Sequence, residues 1–132
     1  MVTEQMANQM YERETRFSAS LQWPGSHVHY RDQTIRYLLE YNETHSMSWE
    51  QRIDKIIEWM TNTPKNANCV FAYFDEPDTT AHNYGPFSEQ VFEKVRIADK
   101  TIGYLMEKLE EKRLSEETNL IILSDHGMAE IK

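Results

Sequence analysis

Two Asp–His pairs in this sequence carry side chains that a divalent metal accepts. Asp78 and His82 stand four apart in DEPDTTAH (Asp75–His82), and Asp125 and His126 are adjacent in SDHGM (Ser124–Met128). Carboxylate oxygen and imidazole nitrogen are the donors of catalytic zinc sites, which keep one position open for water or substrate. At a spacing of four, one helical turn aims both side chains the same way, and Pro77 suits the first turn of such a helix. Asp125 and His126 need a sharp turn to face one site, for which Gly127 offers a permissive backbone. Each pair alone has a plainer reading. An Asp after a strand is often a helix cap or turn former, and a lone His in a loop is commonly polar surface. A metal is favoured only if all four fall on one edge, and four ligands are too few for two ions.

The elements that must position them can be read from apolar periodicity. Cys69–Phe74 (CVFAYF) reads as a short buried strand rich in aromatics, and Leu120–Leu123 as a second buried strand. Between them Val91, Val95, Ala98, Ile102, Leu105 and Leu109 recur at spacings of three and four. That spacing predicts a long amphipathic helix over 88–113, with Glu107, Lys108, Glu110, Glu111 and Lys112 on its solvated face. Gly103 inside it costs about 1 kcal/mol against alanine, or marks close packing. Strand, helix, strand is a βαβ unit whose strands run parallel through a right-handed crossover. Parallel strands put their carboxyl ends on one sheet edge, where open α/β folds hold ligands. Both Asp–His pairs follow such ends.

Upstream, residues 1–12 contain helix formers and suggest a short helix, and Phe17–Trp23 alternates as a strand that stops at Pro24-Gly25. Within 27–46, Ile35, Leu38 and Leu39 suggest a helical stripe, but YNETHS after them is loop chemistry. His27 and His29 alternate on a possible strand and read as edge polarity before they read as ligands. Ser48 is a good N-cap, with Gln51 placed to complete a capping box. Ile53, Ile56, Ile57 and Met60 then form one stripe of a helix that should end before Pro64. The fold class is α/β, with parallel strands and flanking helices.

Composition bounds the rest. The 132 residues make at most one domain, or part of one. A net charge of −8 excludes binding to a nucleic-acid backbone through a basic patch, but not a phosphate-bearing small molecule served by a metal. The single cysteine, Cys69, reads as a small buried thiol. No apolar run reaches membrane-spanning length, and the N-terminus is polar, unlike a secretory signal. Asn42-Glu43-Thr44 is a glycosylation sequon that matters if the chain is secreted.

EPDTTAHNYGP (Glu76–Pro86), the amphipathic helix and NLIILSDHGM (Asn119–Met128) together resemble the ectonucleotide pyrophosphatase/phosphodiesterase family of the alkaline phosphatase superfamily. Trp23-Pro24-Gly25-Ser26 and Tyr41-Asn42 resemble its nucleotide-hydrolysing members, and Val2-Thr3 aligns weakly. The likeness spans nearly the whole chain, with two motifs in order and a helix of fitting length between them.

The resemblance implies a partial alkaline-phosphatase-like sheet and a catalytic domain that binds two zinc ions. It implies cleavage of phosphodiester or pyrophosphate bonds with a threonine nucleophile. By position, Asp78 and His82 resemble two ligands of one zinc, and Asp125 and His126 two ligands of the other. Tyr41 falls where the family stacks a tyrosine on the nucleobase, and Trp23 and Tyr73 match pocket-lining aromatics; core or rim packing explains the last two equally well. The nucleophile and an aspartate ligand are expected upstream of Met1, and a further histidine beyond Lys132. Thr79 and Thr80 do not occupy the nucleophile position. The chain thus resembles a middle segment of a larger domain, inactive alone, from a family that works outside the cell or at its surface. Ala81 stands where the family usually has glycine, and would strain the turn if that position needed positive φ. His27 stands where many members carry an acid. A lipid or choline phosphodiesterase of the same superfamily is the enzymatic alternative, and a non-catalytic metal-binding module the alternative from another class.

Overall fold

The computed structural model describes residues 16–29, 35–62 and 64–130. The chain divides into two compact units, Met1–Phe74 and Asp75–Lys132. The helix expected over residues 1–12 lies outside the described residues.

The first unit is built on a parallel sheet of β1 (Phe17–Leu21), β2 (Tyr37–Leu39) and β3 (Ala67–Ala72), in the order β2-β1-β3. Ala19 pairs with Tyr37 and Val70, and Leu21 with Leu39 and Ala72. A central parallel strand is covered on both faces. That is why Ala19, Ser20 and Leu21 are all fully buried, without the alternation of a half-exposed strand. The hydroxyl of buried Ser20 is satisfied by Ser26 at 2.6 Å, as burial of a polar group demands.

Two short α-helices follow β2, α1 (Tyr41–Thr44) and α2 (Trp49–Thr61). The capping box at α2 is present in full: Ser48 Oγ accepts from Gln51 N (3.2 Å), and Gln51 Oε1 accepts from Ser48 N (2.8 Å). Ile53, Ile56, Ile57 and Trp59 bury the inner face, and α2 packs on β1 and β3. Each such side chain is worth about 1.5–3 kcal/mol when removed from water. Trp59 also stacks on Tyr37, with centroids 5.9 Å apart.

Three expectations for this unit are corrected. The first strand ends at Leu21 rather than Trp23, because Gln22 takes a φ of 58° and turns the chain out of the ladder. The Ile35–Leu39 stripe is not helical. Its last residues form β2, since over one turn a 3–4 spacing cannot be told from a strand, and register with β1 decides. Cys69 is exposed, not buried, because β3 is an edge strand of this sheet. His27 and His29 are exposed and belong to no strand, His27 lying in the turn after Pro24.

The second unit holds α3 (Asp78–Tyr84) packed on α4 (Glu89–Glu111). Gly85 ends α3 at φ 86°, where its N–H closes on the Ala81 carbonyl (2.8 Å); a side chain there would be strained. Ser88 caps α4 through its hydroxyl. Of the predicted stripe, Val91 and Leu109 are buried with Thr101 between them, Ala98, Ile102 and Leu105 are half-buried, and Val95 is 48% exposed. A Cβ on Gly103 would meet open space, so close packing does not account for it. Ala81 is a buried residue of α3 and takes no positive φ, so alanine brings no strain to this turn.

The predicted strand Leu120–Leu123 does not form. Its four side chains are 43–78% exposed, and the described residues include no ladder partner for it. A parallel strand needs partner backbone and cover on both faces, and among the described residues this segment has neither. A parallel connection through helices joins β2 to β3 by way of α1 and α2, not the expected pair of strands flanking α4.

Candidate functional site

The first unit contains a cleft of about 230 Å³ between two short walls. One wall is Gln22–His27, the turn that leaves β1; the other is Leu38–Asn42, the end of β2 and start of α1. Gln22 N donates to Leu39 O (2.7 Å), which ties the walls at their base. Trp23 and Tyr41 face this cleft from opposite walls. Phe71 supports the Trp23 ring at 5.2 Å, and Tyr41 is 56% exposed beside His45. Tyr73 does not line the cleft: its N–H extends the ladder to Leu21 O (3.0 Å). Asn42 is exposed on α1, whereas Thr44 of the same sequon is buried, with its hydroxyl on Gln22 and on backbone carbonyls. His27, read earlier as edge polarity, lines the cleft and pairs with Glu40 at 3.8 Å.

The second unit brings the four metal-type residues together. His82 Nε2 lies 3.5 Å from Asp78 Oδ1, as the turn of α3 requires. His126 Nε2 lies 3.8 Å from the same oxygen and 3.9 Å from Asp125 Oδ1. Asp78 Oδ1 is itself buried and has no hydrogen-bond partner among the described residues. A buried carboxylate oxygen in that state is costly unless a cation compensates it. Gly127 contributes otherwise than expected. Its φ is not positive, and its carbonyl instead receives His126 Nδ1 at 2.9 Å. A carbonyl can only accept, so Nδ1 carries the proton and Nε2 of the neutral ring presents its lone pair. Such a bond is what fixes the tautomer of metal-ligating histidines. Ser124 Oγ donates to the His126 carbonyl, and the Asp125 carboxylate accepts from His126 N (3.1 Å), which hold the turn. That Gly127 contact, then Asp125, and to a lesser degree Asp78, raise the His126 imidazole above its ordinary value against a small opposing desolvation.

These donors have the chemistry of a zinc site. Two ligands about 2.0–2.1 Å from one tetrahedral zinc lie roughly 3.3–3.4 Å apart; the Asp78–His82 pair matches this, and the His126 pairs are slightly wider. Among the described residues, no three His, Cys, Asp or Glu side chains are arranged to hold an ion by themselves. The cluster is a set of pairs meeting at Asp78, not a closed cage.

Sequence reasoning missed the residue that orders this cluster. Glu76, two positions before Asp78, accepts Thr80 N and Thr80 Oγ (both 2.9 Å), and Lys94 of α4 reaches it at 3.1 Å. Desolvation pushes this carboxyl up, but the Thr80 bonds and Lys94 outweigh it, leaving it below the ordinary range. The available signal was an acid before Pro77 with a threonine four residues on. Arg52 was missed as well. It occupies a buried position of α2 in the 52, 56, 59 series, where an arginine among apolar residues signals a specific partner.

Residues 2–132 match the family described as type I phosphodiesterase / nucleotide pyrophosphatase. Venom phosphodiesterase 2 of Crotalus adamanteus is 37% identical over 115 residues, covering 86% of this chain and 14% of the venom protein. The bis(5'-adenosyl)-triphosphatase enpp4 of Xenopus laevis is 39% identical over 114 residues, covering 86% of this chain and 25% of the frog protein. Among solved structures, murine ectonucleotide pyrophosphatase/phosphodiesterase 5, an inactive variant in complex with AMP, superposes with a TM-score of 0.71 at 35% identity. That match covers 86% of this chain and 28% of the murine one, so the chain spans 14–28% of the length of these relatives. Match, identity and fold agree: this chain belongs to the type I phosphodiesterase / nucleotide pyrophosphatase family.

Proposed function

We propose that this chain is part of a zinc-dependent catalytic domain that hydrolyses nucleotide phosphodiester or pyrophosphate bonds. The observation that carries the metal reading is Asp78 Oδ1, a buried acceptor without a hydrogen bond among the described residues and with two imidazole nitrogens within 3.8 Å. Asp78 and His82 would hold one ion, and Asp125 and His126 would contribute to a second. When bound, zinc supplies Lewis-acid polarisation of the phosphoryl group and charge stabilisation at the leaving oxygen. The chain's own residues keep the donors ready: α3 fixes the Asp78–His82 spacing, and the Gly127 carbonyl keeps His126 Nε2 unprotonated in the neutral ring.

The Trp23–Tyr41 cleft would take the nucleobase, since a flat aromatic ring between aromatic walls gains on the order of 1–3 kcal/mol by stacking. The murine relative's complex with AMP supports a nucleotide rather than a lipid headgroup. Neither nearby threonine serves as nucleophile. Thr80 is buried with its hydroxyl committed to Glu76, and Thr79, though exposed, is a helix residue without a base assigned to it. The nucleophile and remaining ligands would come from outside these residues, so the 132-residue chain alone should turn over little substrate. No helix among the described residues is long and apolar enough to cross a membrane; the family likeness supports work outside the cell or at its surface, where Asn42 would be open to glycosylation.

Zinc calorimetry on the chain tests the metal reading. Binding should be detected and weakened at least tenfold by Asp78→Asn and by His126→Ala. Unchanged affinity in both variants would refute it. Robust hydrolysis of a chromogenic nucleotide diester by the chain alone would refute the absent nucleophile.

A further inference from the structure

The two cleft walls are not joined by packing alone. Arg52, 5% exposed on α2, reaches both from behind. Its Nη1 donates to Gln22 Oε1 (2.9 Å), on the wall that carries Trp23. Its Nη2 donates to the Thr44 carbonyl (3.1 Å), at the end of the helix whose first residues, Tyr41 and Asn42, form the opposite wall. Thr44 Oγ closes the triangle on Gln22 Oε1 (3.2 Å). Gln22 meanwhile sits at a φ of 58°, a conformation uncommon outside glycine and asparagine, and needs side-chain contacts to hold it. The Phe74 ring lies 5.8 Å from the guanidinium carbon. A planar fork with separate donors can hold two acceptors at a set distance, whereas an ammonium cannot.

We propose that Arg52 is a positioning residue that sets the spacing of the Trp23 and Tyr41 walls, and through it the selectivity of the cleft for a nucleobase. The inference rests on the nucleotide reading of that cleft. Arg52 does not touch the ligand. It determines how well a flat ring fits between walls that are also linked by the Gln22–Leu39 backbone bond, the Thr44–Gln22 bond and the exposed His27–Glu40 pair.

The test compares AMP with ribose 5-phosphate, which lacks the base, in equilibrium titrations of the full chain followed by tryptophan fluorescence and by NMR. In the wild type the base should improve affinity by about 5- to 150-fold. Arg52→Gln should reduce that preference to about twofold or less while ribose 5-phosphate affinity stays the same, and Arg52→Lys should restore little of it. Gln22→Asn guards against misfolding of the Arg52 variant. Asparagine tolerates positive φ, so the turn persists, but its shorter side chain no longer reaches Arg52. It should lose the preference as well, with thermal unfolding close to wild type. A folded Arg52→Gln or Gln22→Asn variant that retains the full preference for AMP would overturn the role of Arg52. A wild type without any preference would overturn the nucleotide reading of the cleft, and this inference with it.

Discussion

Removing the Glu76 carboxylate should loosen α3 and so disperse Asp78 and His82. Glu76 is 15% exposed and makes three charge-assisted contacts: Thr80 N, Thr80 Oγ and Lys94 Nζ. The bond to Thr80 N serves an otherwise unpaired donor in the first turn of α3, a role worth about 1 kcal/mol. The hydroxyl bond to an ionised acceptor adds roughly 1.5–3 kcal/mol, and the part-exposed Lys94 pair about 0–1 kcal/mol. These overlap, so Glu76→Ala should destabilise the α3–α4 pairing by about 2–4 kcal/mol, and Glu76→Gln by about half of that. The sign with pH follows from the lowered carboxyl. A group whose folded value is depressed contributes fully above its unfolded value, about 4.3, and loses that contribution as pH falls through the folded value. The gap between wild type and Glu76→Gln should therefore be complete at pH 7 and close as the pH falls well below 4. Amide exchange at Thr80 in zinc-free buffer measures the local opening, and urea unfolding at pH 7 and pH 3 measures the whole. A Thr80 amide equally protected in wild type and Glu76→Ala, or a Gln gap that does not narrow in acid, would sink this account of α3.

Three further outcomes follow from other parts of the molecule. In zinc-free buffer the His126 ring should titrate above the ordinary imidazole value, and Asp125→Asn should lower the NMR midpoint; its raised value means that any linked stability is present at low pH and fades as pH rises through that midpoint. Cys69 is exposed yet partly desolvated, which holds its thiol above the usual range. It should react with a thiol reagent in the native chain, more slowly than a free cysteine at pH 7 and with a midpoint displaced upward. Ile56→Ala, at 5% exposure under the sheet, should cost about 2–4 kcal/mol in urea unfolding with the slope unchanged; a cost below 0.5 kcal/mol would mean that α2 is not part of the core.

Sequence by itself determined the elements governed by local chemistry. Ser48 and Gln51 specify the start of α2, Ser88 the start of α4, and Pro77 with Asp78 and His82 the single-turn geometry of the Asp–His pair. In each case the interacting atoms lie within four residues. The Asp–His motifs were legible for the same reason. What depended on distant partners was not legible. Whether Leu38 and Leu39 lie in a helix or a strand is decided by their register with Ser20 and Leu21 of β1, eighteen residues earlier in the chain. Leu120–Leu123 has strand-forming side chains, but no ladder partner among the described residues, and apolar composition cannot supply one. Cys69 reads as buried until the order of strands puts β3 on an edge. Only tertiary structure disclosed that Arg52 bridges two walls and that His126 reaches Asp78 across forty-eight positions of sequence. Side-chain reach is short. A residue's type can advertise a donor or an acceptor, but the fold alone decides which partner stands within hydrogen-bond distance.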